Sequence, residues 1–200
     1  MPVLTKVDIS FSLPVPTILV GVAIRLVLLY RRLRYGYTFR RIKLTRGQYA
    51  IVDVEDFEQL NQYKWQCSCY GYATRSVTEA NDLGSRQVDV YMHKVLCPTP
   101  EGMVTDHVNR NKLDNRKANL RPATRKQNNW NRSPKTDNRK TRYHGISWKK
   151  DVKKWRVRLA INGKSQSFGS YSDEIEAARA YDRVAKQHRG PFAVLNFPEQ

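Results

Sequence analysis

From Arg41 onward the apolar residues of this chain come in short runs broken by turns, prolines and charge, which commits it to small strands and few helices. Ile42-Lys43-Leu44 reads as a strand, residues 45–48 as a turn, and residues 49–52 as a return strand. Next come residues 54–65, where Val54, Phe57, Leu60 and Tyr63 recur at helical spacing. Asp53 suits the N-cap of that helix, and Glu55 and Asp56 fall in its first turn, where the helix dipole favours acids. Strand-like runs at 65–69, 72–76 and 87–92, with an exposed loop at 80–85, complete an α+β unit. Residues 93–96 close it before Pro98 and Pro100, and its role is to position the segment beyond Gly102. A chain of 200 residues allows one or two such small domains.

Residues 104–107 read as a strand that ends on Asp106-His107. A sharply bending, solvated loop rich in Asn, Asp and basic residues fills 109–117, and residues 120–123 form a second strand. Thr124 is a credible N-cap for a helix from Arg125 that carries Asn128 on its first turns. Strand, loop, strand and helix in that order bring His107 and Asn128 together. Cutting a phosphodiester requires a nucleophile, charge neutralisation at the phosphate and help for the leaving oxygen. Mg²⁺, or another divalent cation such as Mn²⁺, takes oxygen ligands and keeps several waters, so one carboxylate and one amide suffice. Asp106 and Asn128 fit that role, and His107 fits the general base. Asn119 is placed as an orienter, either bracing the loop or fixing the tautomer of the imidazole. Arg121 and Arg125 are the nearby cations that steady the phosphate. His93 reads equally as a catalytic histidine and as a buried, hydrogen-bonded one.

Charge points the same way. Lys and Arg number 36 against 18 Asp and Glu, a formal net charge of +18, which is the footprint of a polyanion binder. That balance indicates nucleic acid without naming an activity. Cys67, Cys69 and Cys97 make neither a disulfide framework nor a complete zinc site, and they suit a reducing cytoplasm. Residues 13–30 are largely apolar and are followed by Arg31, Arg32 and Arg34. Pro14 and Pro16 delay any helix there until about Thr17, and Arg25 interrupts the apolar run. The segment is either a packed or poorly ordered extension, spanning 1–40, or a short membrane anchor; the first reading is preferred.

Residues 133–141 have linker composition. Beyond them, residues 145–148, 155–161 and 165–171 read as three strands, the last two joined by an Asn162-Gly163 turn. An amphipathic helix over 173–187 presents Ala177, Ala178, Tyr181 and Ala185, and Phe192, Val194, Leu195 and Phe197 cap that core. Basic residues crowd the first strands, with Arg156 and Arg158 on one face and Trp155, Val157 and Leu159 on the other.

His93, Asp106-His107, Asn119-Leu120 and Asn128 resemble the HNH endonucleases, in particular the ββα-metal nucleases of phage and intron homing enzymes. The stretch IKLTRGQYAIVDVEDFEQLNQYKW is similar to the front end of those phage proteins, and the resemblance covers residues 41–132. It implies a general base at His107, metal ligands at Asp106 and Asn128, an orienting amide at Asn119 and a recurrent histidine at His93. Many members carry histidine where this chain has Asn128, while asparagine also occurs in the homing branch; metal preference is left open. Residues 142–200, through Tyr143-His144-Gly145-Ile146, Lys154-Trp155, Phe168-Gly169-Ser170-Tyr171 and EAARAYDRVAKQHRGPFAVLNFP, resemble the Apetala-two (ethylene-responsive-factor) DNA-binding domain. That implies a three-stranded antiparallel sheet packed on one helix and entering the major groove of double-stranded DNA. Arg142, Trp148, Lys150, Lys154, Arg156 and Arg158 are the contact candidates. His144 and Ser167 depart from the pattern, so its site preference does not carry over.

The expectation is an α+β protein: a small α+β unit leading into a ββα-metal nuclease, then the sheet-and-helix reader. It would be a sequence-directed, metal-dependent DNA endonuclease of homing type, acting in the cytoplasm of a bacterial or phage-infected cell, with no small-molecule substrate. The alternative is a non-cutting DNA-binding regulator.

Overall fold

The computed structural model describes residues 17–81, 84–132 and 141–198. Helix α1 (Thr17–Tyr35) begins just after Pro16 and is exposed along most of its length, with Leu26, Leu29 and Leu33 more than half accessible. No helix among the described residues is long and apolar enough to cross a membrane. Nor is α1 packed along its length; the part of the 1–40 extension before Thr17 lies outside the described residues. Its C-terminal end is tied down where the Arg31 guanidinium donates to the Phe39 carbonyl and stacks on the Phe39 ring.

Strands β1 (Arg40–Lys43) and β2 (Tyr49–Val52) form an antiparallel hairpin across a tight turn in which Arg46 and Gly47 take positive φ. Alternation places Ile42, Ala50 and Val52 in a core shared with Phe57, Leu60, Trp65, Ala73 and Met92. The helix expected over 54–65 is shorter. Helix α2 spans Phe57–Asn61 and starts after Asp56, because the Asp53 carboxylate is engaged elsewhere, accepting from the Lys117 backbone N–H at 2.7 Å. The strand expected at 65–69 shrinks to β3 (Gln66–Cys67), since Trp65 turns into the core and donates its indole N–H to the Leu60 carbonyl at 2.8 Å.

Strands β4 (Ala73–Asn81) and β5 (Gly84–Tyr91) continue the hairpin through Ala80↔Ser85 and Asn81↔Gly84. The exposed loop expected at 80–85 is therefore mostly paired strand, with residues 82–83 outside the described set. The outer end of this arm, residues 78–80 with 85–87, is small or polar, so the apolar alternation that marks a strand in sequence is lost there. Helix α3 (Met92–Leu96) then buries Met92 and His93.

Strands β6 (Met103–His107) and β7 (Leu120–Thr124) pair antiparallel, with Asp106 opposite Arg121 and His107 opposite Leu120. Helix α4 (Arg125–Trp130) packs on both. Thr124 caps it as expected, in a reciprocal capping box: its Oγ1 accepts from the Gln127 N–H while the Gln127 Oε1 accepts from the Thr124 N–H.

The expected linker lies outside the described residues except for Thr141. Strands β8 (Ile146–Lys149), β9 (Lys154–Ile161) and β10 (Lys164–Tyr171) form an antiparallel sheet in the order β10-β9-β8. Helix α5 (Glu174–Arg189) covers it, capped by Asp173 and running two residues beyond the expected end. Gly145 has no substitute there: its φ is +70°, and a Cβ would meet the Tyr181 ring at 1.9 Å. Asn196 and Asp182 fasten the C-terminal segment. The Asn196 amide brackets the His144 backbone, and the Asp182 carboxylate accepts from the Asn196 and Phe197 N–H groups. Val194 and Leu195 join the core as expected. Phe192 instead turns beneath Arg121, and Phe197 stacks on Tyr143 at the surface.

Candidate active site

At the end of β6, Asp106 and His107 are both buried, yet they line one cavity of about 440 Å³ with Asn128 and Asn131 from the α4 region. Adjacent strand residues point to opposite sides, so the pair reaches the cavity from different supporting shells.

Asp106 is held by two groups. Arg121, directly across the sheet, donates from Nε to Asp106 Oδ2 at 2.9 Å, and its Nη2 lies 2.8 Å from the same oxygen, off the hydrogen-bonding direction. The Asn131 amide donates to both carboxylate oxygens, at 3.0 and 3.1 Å, and to the His107 carbonyl at 2.9 Å. Oδ1 therefore has a single partner among the described residues and Oδ2 has two. Asn131 is buried and was not singled out by sequence. A usable signal was its place three residues after Asn128, which puts both amides on one helical face.

His107 is oriented by a different amide from the one expected. Its Nε2 meets Asn115 Oδ1 at 3.3 Å, and Asn115 is fully buried. A carbonyl oxygen only accepts, so with this amide orientation Nε2 carries the proton and Nδ1 keeps the lone pair. Burial pushes the His107 imidazole below its ordinary pKa, against the opposing pull of Asn115, Asp106 and Asp114. The ring is therefore neutral near pH 7, the state a base requires.

Asn119 takes the loop-bracing option and leaves the imidazole to Asn115. Its Oδ1 accepts from the Asn109 N–H at 2.9 Å and its Nδ2 donates to the Asp114 carbonyl at 2.7 Å. Asp114 is the hub of this loop, receiving Arg116 in a two-pronged pair at 2.7 and 2.6 Å and the Asn109 amide at 2.8 Å. Burial alone would raise its carboxyl, but the Arg116 bonds and charge outweigh that and hold it below the ordinary range.

The front unit grips the same loop. Ile51 donates to the Leu113 carbonyl at 2.7 Å and accepts from the Asn115 N–H at 2.8 Å. Lys117 pairs with Asp56 at 2.7 Å, and Arg116 lies 3.5 Å from the Tyr37 ring centroid. The β1–β2 hairpin thus fixes the backbone of Asn115, the residue that holds the histidine.

His93 stands beside His107, with ring centroids 5.2 Å apart in an edge-on arrangement, and both contact Tyr72. His93 Nδ1 is buried with no hydrogen-bond partner among the described residues. Burial, then the neighbouring His107 and Lys94, lower its pKa to about 4.

Cations ring the cavity mouth at Arg110, Lys112 and Arg132. These were not selected from sequence, because loop cations look like ordinary solvation. Of those that were, Arg121 is committed to Asp106 and is no free phosphate clamp, while Arg125 is exposed at the start of α4.

On the C-terminal sheet, Val157 and Leu159 are buried, so Lys154, Arg156 and Arg158 share the outer face. Register adds Lys149, opposite Lys154, along with Ser147 and Ser170 opposite Arg156 and Ser167 opposite Arg158. Trp148 pairs with Trp155 and so belongs to the opposite face, where the two indoles meet edge-on at the sheet margin, 5.2 Å apart. That departs from the expected grouping of Trp148 with the strand arginines. Arg142 donates to the Tyr143 hydroxyl at 3.0 Å, and Lys150 is exposed just beyond β8.

A profile described as HNH endonuclease matches residues 94–130, the stretch from α3 to α4. The chain belongs to the HNH endonucleases, a membership that supports a DNA-cleaving hydrolase. It is 27% identical over 153 residues to an uncharacterized HNH endonuclease of Acanthamoeba polyphaga mimivirus, covering 76% of each chain. It is 34% identical over 97 residues to protein 3.8 of Escherichia phage T7, covering 48% of this chain and 78% of that one. A third similarity, 40% over 57 residues, is to an AP2-like ethylene-responsive transcription factor of Arabidopsis thaliana, and covers 28% of this chain and 13% of that protein. DNA is the partner these similarities imply, and HNH nucleases generally use a divalent metal ion.

Proposed function

We propose that this protein is a sequence-directed, homing-type endonuclease that hydrolyses double-stranded DNA at a ββα-metal centre formed by β6, β7 and α4. The cytoplasm of a bacterial or phage-infected cell is its place of action. The observation that carries this reading is the convergence of Asp106, His107 and Asn128 on one cavity with a basic mouth.

The donor set suits a hard cation. Asp106 Oδ1, which has one partner against two for Oδ2, and the Asn128 amide oxygen would hold Mg²⁺ or Mn²⁺ with water completing the shell. When bound, the ion neutralises charge on the phosphate and the leaving oxygen. His107 Nδ1 accepts the proton of the attacking water. Asn115 keeps the ring in the tautomer that leaves this nitrogen free, and Asn119 holds the loop from which Asn115 projects. Arg110, Lys112 and Arg132 draw the phosphate to the mouth. His93 crowds the imidazole as a neutral wall that disfavours its protonation.

Residues 142–198 serve as the DNA reader. Support comes from the outward Lys149, Lys154, Arg156 and Arg158 and from the AP2-like similarity. A plasmid-cleavage assay with Mg²⁺ against chelator, run on wild type, Asp106→Ala and Asn128→Ala, tests the centre. Cleavage is expected to need the cation, to vanish in Asp106→Ala and to demand more Mg²⁺ in Asn128→Ala. Metal-independent cutting, or wild-type cutting by Asp106→Ala, refutes it.

A further inference from the structure

Arg121 touches both halves of the molecule. While its Nε and Nη2 meet Asp106 Oδ2 at 2.9 and 2.8 Å, its Nη1 donates to the Pro191 carbonyl at 2.9 Å. Its guanidinium carbon also lies 3.8 Å from the centroid of the Phe192 ring. Pro191 and Phe192 belong to the short 3₁₀ turn Gly190–Phe192 at the end of α5. Further contacts run along the same seam: Arg189 lies over the Trp130 ring of α4 at 5.6 Å, and Lys126 Nζ donates to Asn162 Oδ1 at 3.1 Å.

A guanidinium is planar and presents its donors in a fixed fork, so holding one edge on a carbonyl and one face on an aromatic ring sets the direction of the other edge. The direction so set points at Asp106 Oδ2. Because Asn131 reaches both oxygens, Arg121 is what distinguishes Oδ2 from Oδ1. Without the turn, the long side chain regains its rotamers and the carboxylate loses its fixed orientation.

We propose that Arg121 is a positioning residue through which docking of the 190–192 turn orients the Asp106 carboxylate for its cation, so that the C-terminal module helps build the centre it targets. This rests on Asp106 being a cation ligand. By linkage, cation binding strengthens the docking of the turn by the same factor.

The test is Mn²⁺ binding to the full-length protein without DNA, measured by calorimetry or by the electron paramagnetic resonance of free Mn²⁺. Wild type is compared with Asp106→Asn, Arg121→Gln, Phe192→Ala and the Arg121→Gln/Phe192→Ala double variant. Loss of a group that orients a ligand weakens metal binding about 10–100-fold, the range expected for Arg121→Gln. Phe192→Ala, which removes only the ring beneath the guanidinium, is expected to cost about 2–30-fold. In the Arg121→Gln background it is expected to cost nothing further, whereas general destabilisation would add in both backgrounds. Should Arg121→Gln fail to fold, Arg121→Lys replaces it in the cycle, since an ammonium cannot hold Asp106, the carbonyl and the ring together. An unchanged affinity in Phe192→Ala, or the same loss in both backgrounds, overturns the coupling while leaving Asp106 as a ligand. Unchanged affinity in Asp106→Asn overturns the reading of the centre itself.

Discussion

The nuclease centre and the C-terminal module bury different chemistry. Among the described residues, every buried polar or charged side chain falls between Thr74 and Asn131, including Asp106, His107, Asp114, Asn115, Asn119 and Asn131. The C-terminal module buries only apolar and aromatic residues and keeps its cations on the surface. A buried amide or carboxylate is costly unless each is satisfied, so the centre is held by hydrogen bonds that must all form together. The module is held by non-directional apolar burial and tolerates change on its outer face. Catalysis requires fixed polar atoms in a partly dry cavity; reading a groove requires long cations on a rigid support.

That contrast can be broken most strongly with acid. The His93 pKa is lowered to about 4, below the ordinary histidine value, so the unfolded chain binds a proton that the folded chain refuses. Stability therefore rises with pH across the window from about 4 to 6.5 and is lost as the solution is acidified through it, by about 3 kcal/mol at most. Chemical denaturation of wild type at pH 7 and pH 4.5 should show the loss, and His93→Phe should lack this part of it. An equal loss in both proteins would place the acid sensitivity elsewhere.

A smaller effect is expected from Asn131→Ala. It strips a buried donor from Asp106 and from the His107 carbonyl, which costs about 2 kcal/mol. The midpoint of thermal unfolding falls, and DNA affinity carried by the C-terminal sheet does not. The smallest effects belong to the outer face of the module. Arg156→Ala and Arg158→Ala should each weaken DNA binding and lower the steepness of its salt dependence by about one counterion, with the unfolding midpoint unmoved. A shift in stability as large as that of Asn131→Ala would erase the distinction between the two regions.

Much of the chain was legible because local chemistry and tertiary fold agree. The β1–β2 hairpin, the cap at Thr124, the Asn162-Gly163 turn and the alanine stripe of α5 all appear where pattern and propensity place them. Expectations failed where a side chain was recruited over a long sequence distance. Asp53 gives up a helix cap to bind the Lys117 backbone, and Phe192 leaves its own core for Arg121. The outer end of the β4–β5 arm was read as a loop because its residues are small or polar and exposed. In the centre, residue type and spacing singled out His107, Asp106 and Asn128, which line one cavity. Asn115, in the asparagine-rich loop, and Asn131, at the end of α4, were not singled out, since an asparagine in either place looks like solvent-facing turn or cap chemistry until burial shows that its amide is in use.

The proposed division of labour in the centre turns on His107 as the base, with its Nε2 held by Asn115. The most direct test measures single-turnover DNA cleavage by His107→Ala in Mg²⁺, with and without added imidazole. A loss of about 10²–10⁴-fold is expected, with part of the rate restored by imidazole in this variant and none in Asp106→Ala. Cleavage by His107→Ala at the wild-type rate would contradict it.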